Sequence, residues 1–259
     1  MCSSDLGHHL MGAVLGGVLL VTMLACWRGT AAARFETQPS VGGDALADLT
    51  ASLRNRPFVL LLASLCVQMV GIGQLLAAVP YYATWLLRGD QGTVTLLFLC
   101  LVGPAAVTVP LWLALNRRQG PVVAYLTSLA LLGVAAALLG LLGHAATLPL
   151  AAPIVALLGV GYAGSQLFPF ALLPTTQRAE TSDQGIHREG AMTGVWLLGD
   201  QAALALGAFL AGVHLSLTGY REGGVQQAPE ALDGILWAMS WTPAALFVAA
   251  FALATRLRP

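Results

Sequence analysis

Seven apolar runs divide this chain, each close to the roughly 20 residues that a helix needs to cross the hydrocarbon core of a bilayer. They cover Met11–Trp27, Pro57–Leu87, Thr93–Leu115, Val122–Leu142, Leu148–Leu173, Ala191–Thr218 and Gly234–Thr255. In hydrocarbon a backbone N–H or C=O has no water to bond, so runs of this length are stable only as helices that pair their own backbone. The sequence therefore predicts an all-α membrane protein with seven transmembrane helices. Charge agrees with this class: only 9% of the residues are charged, where a soluble domain carries about 25%.

The charges that remain sit between the runs and fix an orientation. The chain has no lysine, and all 12 of its basic residues are arginines. With the segment after the first run on the cytoplasmic side, that side collects Arg28, Arg34, Arg54, Arg56, Arg117, Arg118, Arg178, Arg188, Arg256 and Arg258, leaving Arg88 and Arg221 outside. This asymmetry follows the excess of arginine and lysine in cytoplasmic loops. It places the C-terminus in the cytoplasm of a multi-pass protein, in a membrane of the bacterial inner type.

Several function classes drop out. No basic face exists to neutralise phosphates, so nucleic acid is not a partner. Cys26, Cys66 and Cys100 fall inside apolar runs and Cys2 at the terminus, a pattern of small core residues rather than a disulfide framework. The five histidines form no His-Glu-x-x-His helix and no ligand cluster, so no metal site is expected. An intramembrane aspartyl protease needs two carboxylates, and Asp200 is the only acid inside a run. A retinal Schiff base needs a lysine. Gly159-Val-Gly-Tyr-Ala-Gly164 has dinucleotide-loop spacing but no preceding strand. Small residues at that depth point to close helix packing instead.

Outside the runs, Met1-Cys-Ser-Ser-Asp-Leu6 reads into apolar sequence without a charged lead-in, so residues 1–10 are expected to be a non-native or disordered start. Residues 28–56 form a polar linker in which Leu46, Leu49 and Leu53 have helical spacing, fitting either a surface-bound amphipathic helix or a solvated one. Pro174–Gly190 reads as a charged loop. Prolines at 80, 104, 110, 153, 169 and 243 mark breaks or kinks, which membrane helices tolerate beside neighbours or a cavity. Tyr81, Tyr82, Trp85 and Trp112 lie near run ends, the usual place of an interfacial aromatic belt.

The polar residues at membrane depth are the candidates for chemistry. Asp200 leads them, because an ionised carboxylate near the bilayer centre costs roughly 2.5–3.5 kcal/mol on insertion scales and so faces a cavity or a partner. Thr193, Trp196, Asp200 and His214 share a helix face by steps of three and four, with Gln201 adjacent. Two readings stand side by side: this face lines a pathway, with Asp200 binding hydroxyls or a proton and Trp196 stacking on a ring, or Asp200 only fixes helix packing. Gln68, Gln74 and Gln166 are further pathway candidates. Arg188 and Glu189, at the cytoplasmic start of the sixth run, fit either a gate or a solvated helix cap.

Asn55-Arg-Pro-Phe58, a run ending Pro80-Tyr-Tyr82, the turn after Ala171-Leu-Leu-Pro174, Gly185-Ile-His-Arg-Glu-Gly190 and the closing Gly219-Tyr220 together resemble the glycoside–pentoside–hexuronide:cation symporters. These are the melibiose-permease branch of the major facilitator superfamily. The resemblance extends over nearly the whole chain from Met11. It implies that residues 11–27 are the sixth of twelve helices, 28–56 the cytoplasmic linker between halves, and 57–259 the six-helix C-terminal half. It also implies a central cavity that opens alternately to each side, and an N-terminal half of the same polypeptide as the missing partner.

The function implied is cation-coupled symport of a sugar-like or other small solute. No cofactor is expected beyond a coupling Na⁺ or H⁺, membrane lipid is the surrounding partner, and the chain is not expected to be an enzyme. In relatives the cation-coordinating acids lie mainly in the N-terminal half, so this stretch alone is expected to be inactive. The other class is a lipid-handling or non-transporting membrane scaffold of the same fold. Departures from the family pattern are Thr175 where an Asp is usual, Arg178 where an acid is common, and Gln201 where many relatives carry a lysine.

Overall fold

The computed structural model describes residues 2–30, 53, 55–184, 189–224 and 226–257. The chain divides into two units, Met1–Val41 and Gly42–Pro259. The first holds helix α1, Cys2–Thr30, whose backbone is already helical within the stretch where an irregular start is expected. Its apolar portion Gly16–Gly29 is shorter than a full span. Most of the linker, including Leu46, Leu49 and the inferred surface helix, lies outside the described residues.

In the second unit, α2 covers Arg56–Tyr81 and continues as a π-helical turn, Tyr82–Leu86. Then follow α3, Gln91–Val107; α4, Val109–Gln119; α5, Pro121–Leu142; α6, Leu148–Gln184; and α7, Glu189–Leu217. Last come α8, Pro229–Leu236, a π turn over Trp237–Trp241, and α9, Thr242–Ala254. By length and composition Arg56–Leu86, Pro121–Ala145, Leu148–Thr175, Gly190–Leu217 and Pro229–Ala254 each suffice to cross a membrane. The pair α3 and α4, bent by 45°, makes a sixth if it is one span.

Local chemistry sets these boundaries. The Asn55 side chain accepts from Phe58 N at 3.2 Å and Pro57 sits in the first turn, where its missing N–H costs nothing. Asp90 caps α3 by accepting from Thr93 N at 3.0 Å. The end of α2 is closed by Gly89 N donating to Ala83 O at 2.9 Å, with Arg88 in the left-handed region at φ 52. Pro80 supplies no N–H to the ladder, and the backbone beyond it widens to the π turn, where Leu87 N donates to Tyr82 O at 3.1 Å.

The third run bends where its prolines mark a break: Pro104 and Pro110 each remove a ladder donor, and the chain turns at Thr108, whose Oγ1 donates to Pro104 O at 2.7 Å. The region Pro174–Gly190 is not a loop through its whole length, because α6 runs on to Gln184 and α7 begins at Glu189. Gln, Arg, Ala and Glu after Pro174 are good helix formers, and no glycine intervenes before Gly185. Side chains of residues 176–189 lie outside the description.

Small residues bring the helices together. A Cβ on Gly73 would overlap the Leu204 carbonyl, and one on Gly207 the Val70 carbonyl, so α2 and α7 cross backbone to backbone. Gly159 faces Leu101 O of α3, while Gly161 and Gly164 face Leu132 and Ser128 of α5. The dinucleotide-like spacing is thus a packing device serving two neighbours at once. Trp112 belongs to the interior rather than an interfacial belt: it is 5% exposed, donates from Nε1 to Val160 O at 2.9 Å and meets Phe168 edge-on. Tyr82 is likewise fully buried.

The two ends of the second unit differ in charge. One end holds a cavity lined by Arg56, Val122, Thr175 and Arg256 among others, which puts the α4–α5 turn with Arg117 and Arg118 on the same side as the end of the α6 span. At the other end Tyr220 stacks edge-on with Tyr81 and Trp85, and His144 Nε2 lies 2.7 Å from Asp233 Oδ1. Arg88 and Arg221 belong to that second end. This is the alternation that the arginine count requires.

Candidate functional site

The polar groups inside the second unit fall into three sets, and the first is structural. Pro169 cannot donate to Ser165 O, its partner four residues back, so that carbonyl needs an outside donor at membrane depth. Gln68 of α2 provides it, Nε2 to Ser165 O at 2.9 Å. The Gln68 Oε1 accepts from Tyr125 OH of α5 at 3.0 Å. Ser64 Oγ lies 3.0 Å from the same hydroxyl and donates to Ala250 O of α9 at 2.9 Å. Four helices are tied through one buried network in which Gln68 has both ends of its amide engaged. Tyr125, Ser64 and Ser165 are absent from the sequence-derived candidates; the signal that finds them is a proline four residues after a buried carbonyl.

The second set joins α2, α7 and α9. His214 Nδ1 is 2.8 Å from Leu210 O, which requires the proton on that nitrogen, and Thr242 Oγ1 is 3.2 Å from Nε2. Gln74 Nε2 stands 3.5 Å from His214 Nδ1, and the buried Gln74 Oε1 has no partner among the described residues. His214 therefore reaches three helices but lies well along α7 from Asp200, at its far end.

The third set surrounds Asp200. It lies ten residues into the span Gly190–Leu217, or roughly 15 Å from its start at the helical rise, which is mid-bilayer. Asp200 is 9% exposed, and its Oδ2 accepts from Gln201 Nε2 at 3.0 Å, while Gln201 itself is exposed. Gly199, the preceding residue, packs on Cys66 Sγ and Leu62 of α2. Trp196, one turn earlier, is fully buried, its Nε1 without a partner among the described residues, and its ring meets Phe170 of α6 edge-on at 5.8 Å. With its surface covered it offers no open face for stacking a sugar in this arrangement. Thr193 is exposed on the same helix.

The Phe170–Trp196 contact sets the register of α6 against α7. These helices run antiparallel, and stepping one turn away from their connection leads to Gln166 on α6 and to Asp200 on α7, each about 6 Å farther along. Gln166 Nε2 donates to Tyr162 OH at 3.2 Å, and both residues are half-buried. One turn beyond this contact α7 therefore carries a carboxylate with its amide neighbour, and α6 an amide bonded to a phenol. Such a set both donates to and accepts from hydroxyl groups, and its carboxylate is able to hold a proton or a small cation. Arg188 lies outside the described residues, as does the side chain of Glu189.

A family model described as MFS/sugar transport protein matches residues 6–258. A protein described as an uncharacterized symporter from Synechocystis sp. is 27% identical over 222 residues, an alignment covering 82% of this chain. The chain spans 40% of the length of that curated relative.

Proposed function

This chain belongs to the MFS/sugar transport protein family, and from that premise we propose that it forms one half of a secondary carrier that moves a small hydroxylated solute together with Na⁺ or H⁺ by alternating access. The observation that carries the reading is Asp200, a buried carboxylate ten residues into an apolar span and hydrogen-bonded to the exposed Gln201. A buried acid at this depth costs several kcal/mol unless it is neutralised or solvated by a ligand. Binding a cation or a proton relieves that cost, and solute hydroxyls complete its hydrogen bonds, so both ligands favour each other at one site. That mutual preference is the physical content of coupling.

The relative described as a symporter supports the coupled mode. With one wall of a chamber supplied by these helices, the chain alone is expected to move nothing. The test is uptake of radiolabelled mono- and disaccharides into proteoliposomes under an imposed Na⁺ or proton gradient. Three preparations are compared: this chain alone, the chain with the polypeptide encoded directly before it, and that second preparation carrying Asp200→Asn. Gradient-driven uptake is expected from the second only, with at least a tenfold loss in the third. Uptake by the chain alone would overturn the half-carrier reading, and undiminished uptake by Asp200→Asn would overturn the role of the acid.

A further inference from the structure

The cavity at the arginine-rich end of the second unit lies outside the Asp200 site and has a volume of about 710 Å³. It is walled by Pro57, Leu60 and Leu61 of α2, Val122 of α5 and Leu172 of α6, with Leu257 beyond α9. Its polar lining is Arg56, Arg256, Thr175 and Thr255. Both threonine hydroxyls already donate to their own helices, Thr175 Oγ1 to Leu172 O and Thr255 Oγ1 to Ala252 O. The free donors are therefore the two guanidinium groups. Both arginines are exposed, and among the described residues neither has a carboxylate within ion-pair distance.

The backbone adds to the positive field. α5 starts at this cavity behind Gly120, with no side chain capping its first turn, so unpaired N–H groups and the positive end of the helix dipole face the same region. A chamber with apolar walls and two cations that have no carboxylate partner among the described residues, at the level where helices leave the hydrocarbon, matches a ligand that is anionic at one end and apolar at the other. We propose that this cavity binds the phosphate of an anionic phospholipid between Arg56 and Arg256, with an acyl chain laid along Leu60, Leu61 and Leu257. Basic pockets between membrane helices hold such headgroups for this reason. A soluble anion would satisfy the arginines but leave the leucine wall uncovered, so the lipid is the occupant that uses the whole lining.

The experiment is native mass spectrometry of the purified full chain in detergent, titrated with dioleoyl phosphatidylglycerol or dioleoyl phosphatidylcholine. The wild type is expected to retain phosphatidylglycerol in preference. Arg56→Gln and Arg256→Gln should each weaken its retention about fivefold, and together about 30-fold, with phosphatidylcholine unaffected. Arg88→Gln with Arg221→Gln removes the same charge at the opposite end and is expected to change nothing. If the Arg56/Arg256 double variant does not give a helical protein, the single variants decide, at fivefold each. Equal retention of the two lipids by the wild type would overturn the proposal. So would retention unchanged in the Arg56 and Arg256 variants, or displacement of the lipid by millimolar inorganic phosphate, which would make the site one for a soluble anion.

Discussion

Replacing Gln68 probes how a membrane bundle holds a helix that a proline has opened. The Gln68 amide donates to Ser165 O at 2.9 Å and accepts from Tyr125 OH at 3.0 Å. In Gln68→Leu the tyrosine keeps a partner, because Ser64 Oγ is also 3.0 Å away and is free to accept while it donates to Ala250 O. The Ser165 carbonyl keeps none. Contacts between membrane helices average only about 0.6 kcal/mol, since the unfolded reference also finds partners; an unpaired buried group costs about 1–3 kcal/mol. Pro169 decides which applies: in any helical state, folded or not, residue 169 has no N–H to offer. The expected loss is therefore about 1–2 kcal/mol, in the range for a stranded carbonyl.

Pro169→Ala supplies the missing donor. In that background Gln68→Leu is expected to cost less than about 0.5 kcal/mol, leaving a coupling of about 1 kcal/mol between two residues on different helices. Unfolding of the purified chain in mixed micelles by increasing dodecyl sulfate, followed by far-ultraviolet circular dichroism, gives the four stabilities of the cycle. Additive costs would show that Gln68 is not replacing the lost ladder bond, and the account of the central network would fail with them.

Two further outcomes follow from the ends of the helices. Asp90 lies in the turn outside the spans, and its hydrogen bonds from Thr93 N and Oγ1 hold its carboxyl below the usual aspartate value of 3.8. A depressed folded value means the cap is at full strength above the ordinary pKa and is lost as pH falls through the lowered one; hydrogen exchange at Thr93 N–H should accelerate below about pH 4, and Asp90→Asn should remove that pH dependence. For topology, single cysteines at Gln119 and Thr255 should react with a membrane-impermeant maleimide from one side, the cytoplasmic one, and cysteines at Gly89 and Arg221 from the other. Labelling of Gln119 and Thr255 from opposite sides would contradict the shared cavity.

The spans were legible because their signal is energetic and local. Pro57–Leu87, Val122–Leu142 and Ala191–Thr218 differ from α2 with its π turn, α5 and α7 by no more than two residues at either end. What exceeded the sequence is governed by partners. That α6 continues to Gln184 depends on helix formers in water, where hydropathy is silent. Trp112 reads as interfacial from its distance to a run end, yet its indole finds Val160 O across the bundle. The arginine count survives in the second unit because it depends only on alternation.

The polar residues at membrane depth show why the site was only half legible. Composition gives each of them the same standing, since any uncovered polar group in hydrocarbon is costly. The structure separates them by how much of their hydrogen-bonding capacity the bundle uses. Gln68 is fully covered and has both ends of its amide bonded to other helices, so no surface of it is open to a ligand in this arrangement. Asp200 and Gln201 bond each other along one helix, and Gln201 is exposed, so the pair retains capacity that the packing of the bundle does not use. A residue that only fixes packing gains by bonding across helices, as Gln68 does; a pair that bonds within its own turn holds no neighbour in place. That difference, which the sequence does not show, is why the proposed function rests on Asp200 and not on Gln68.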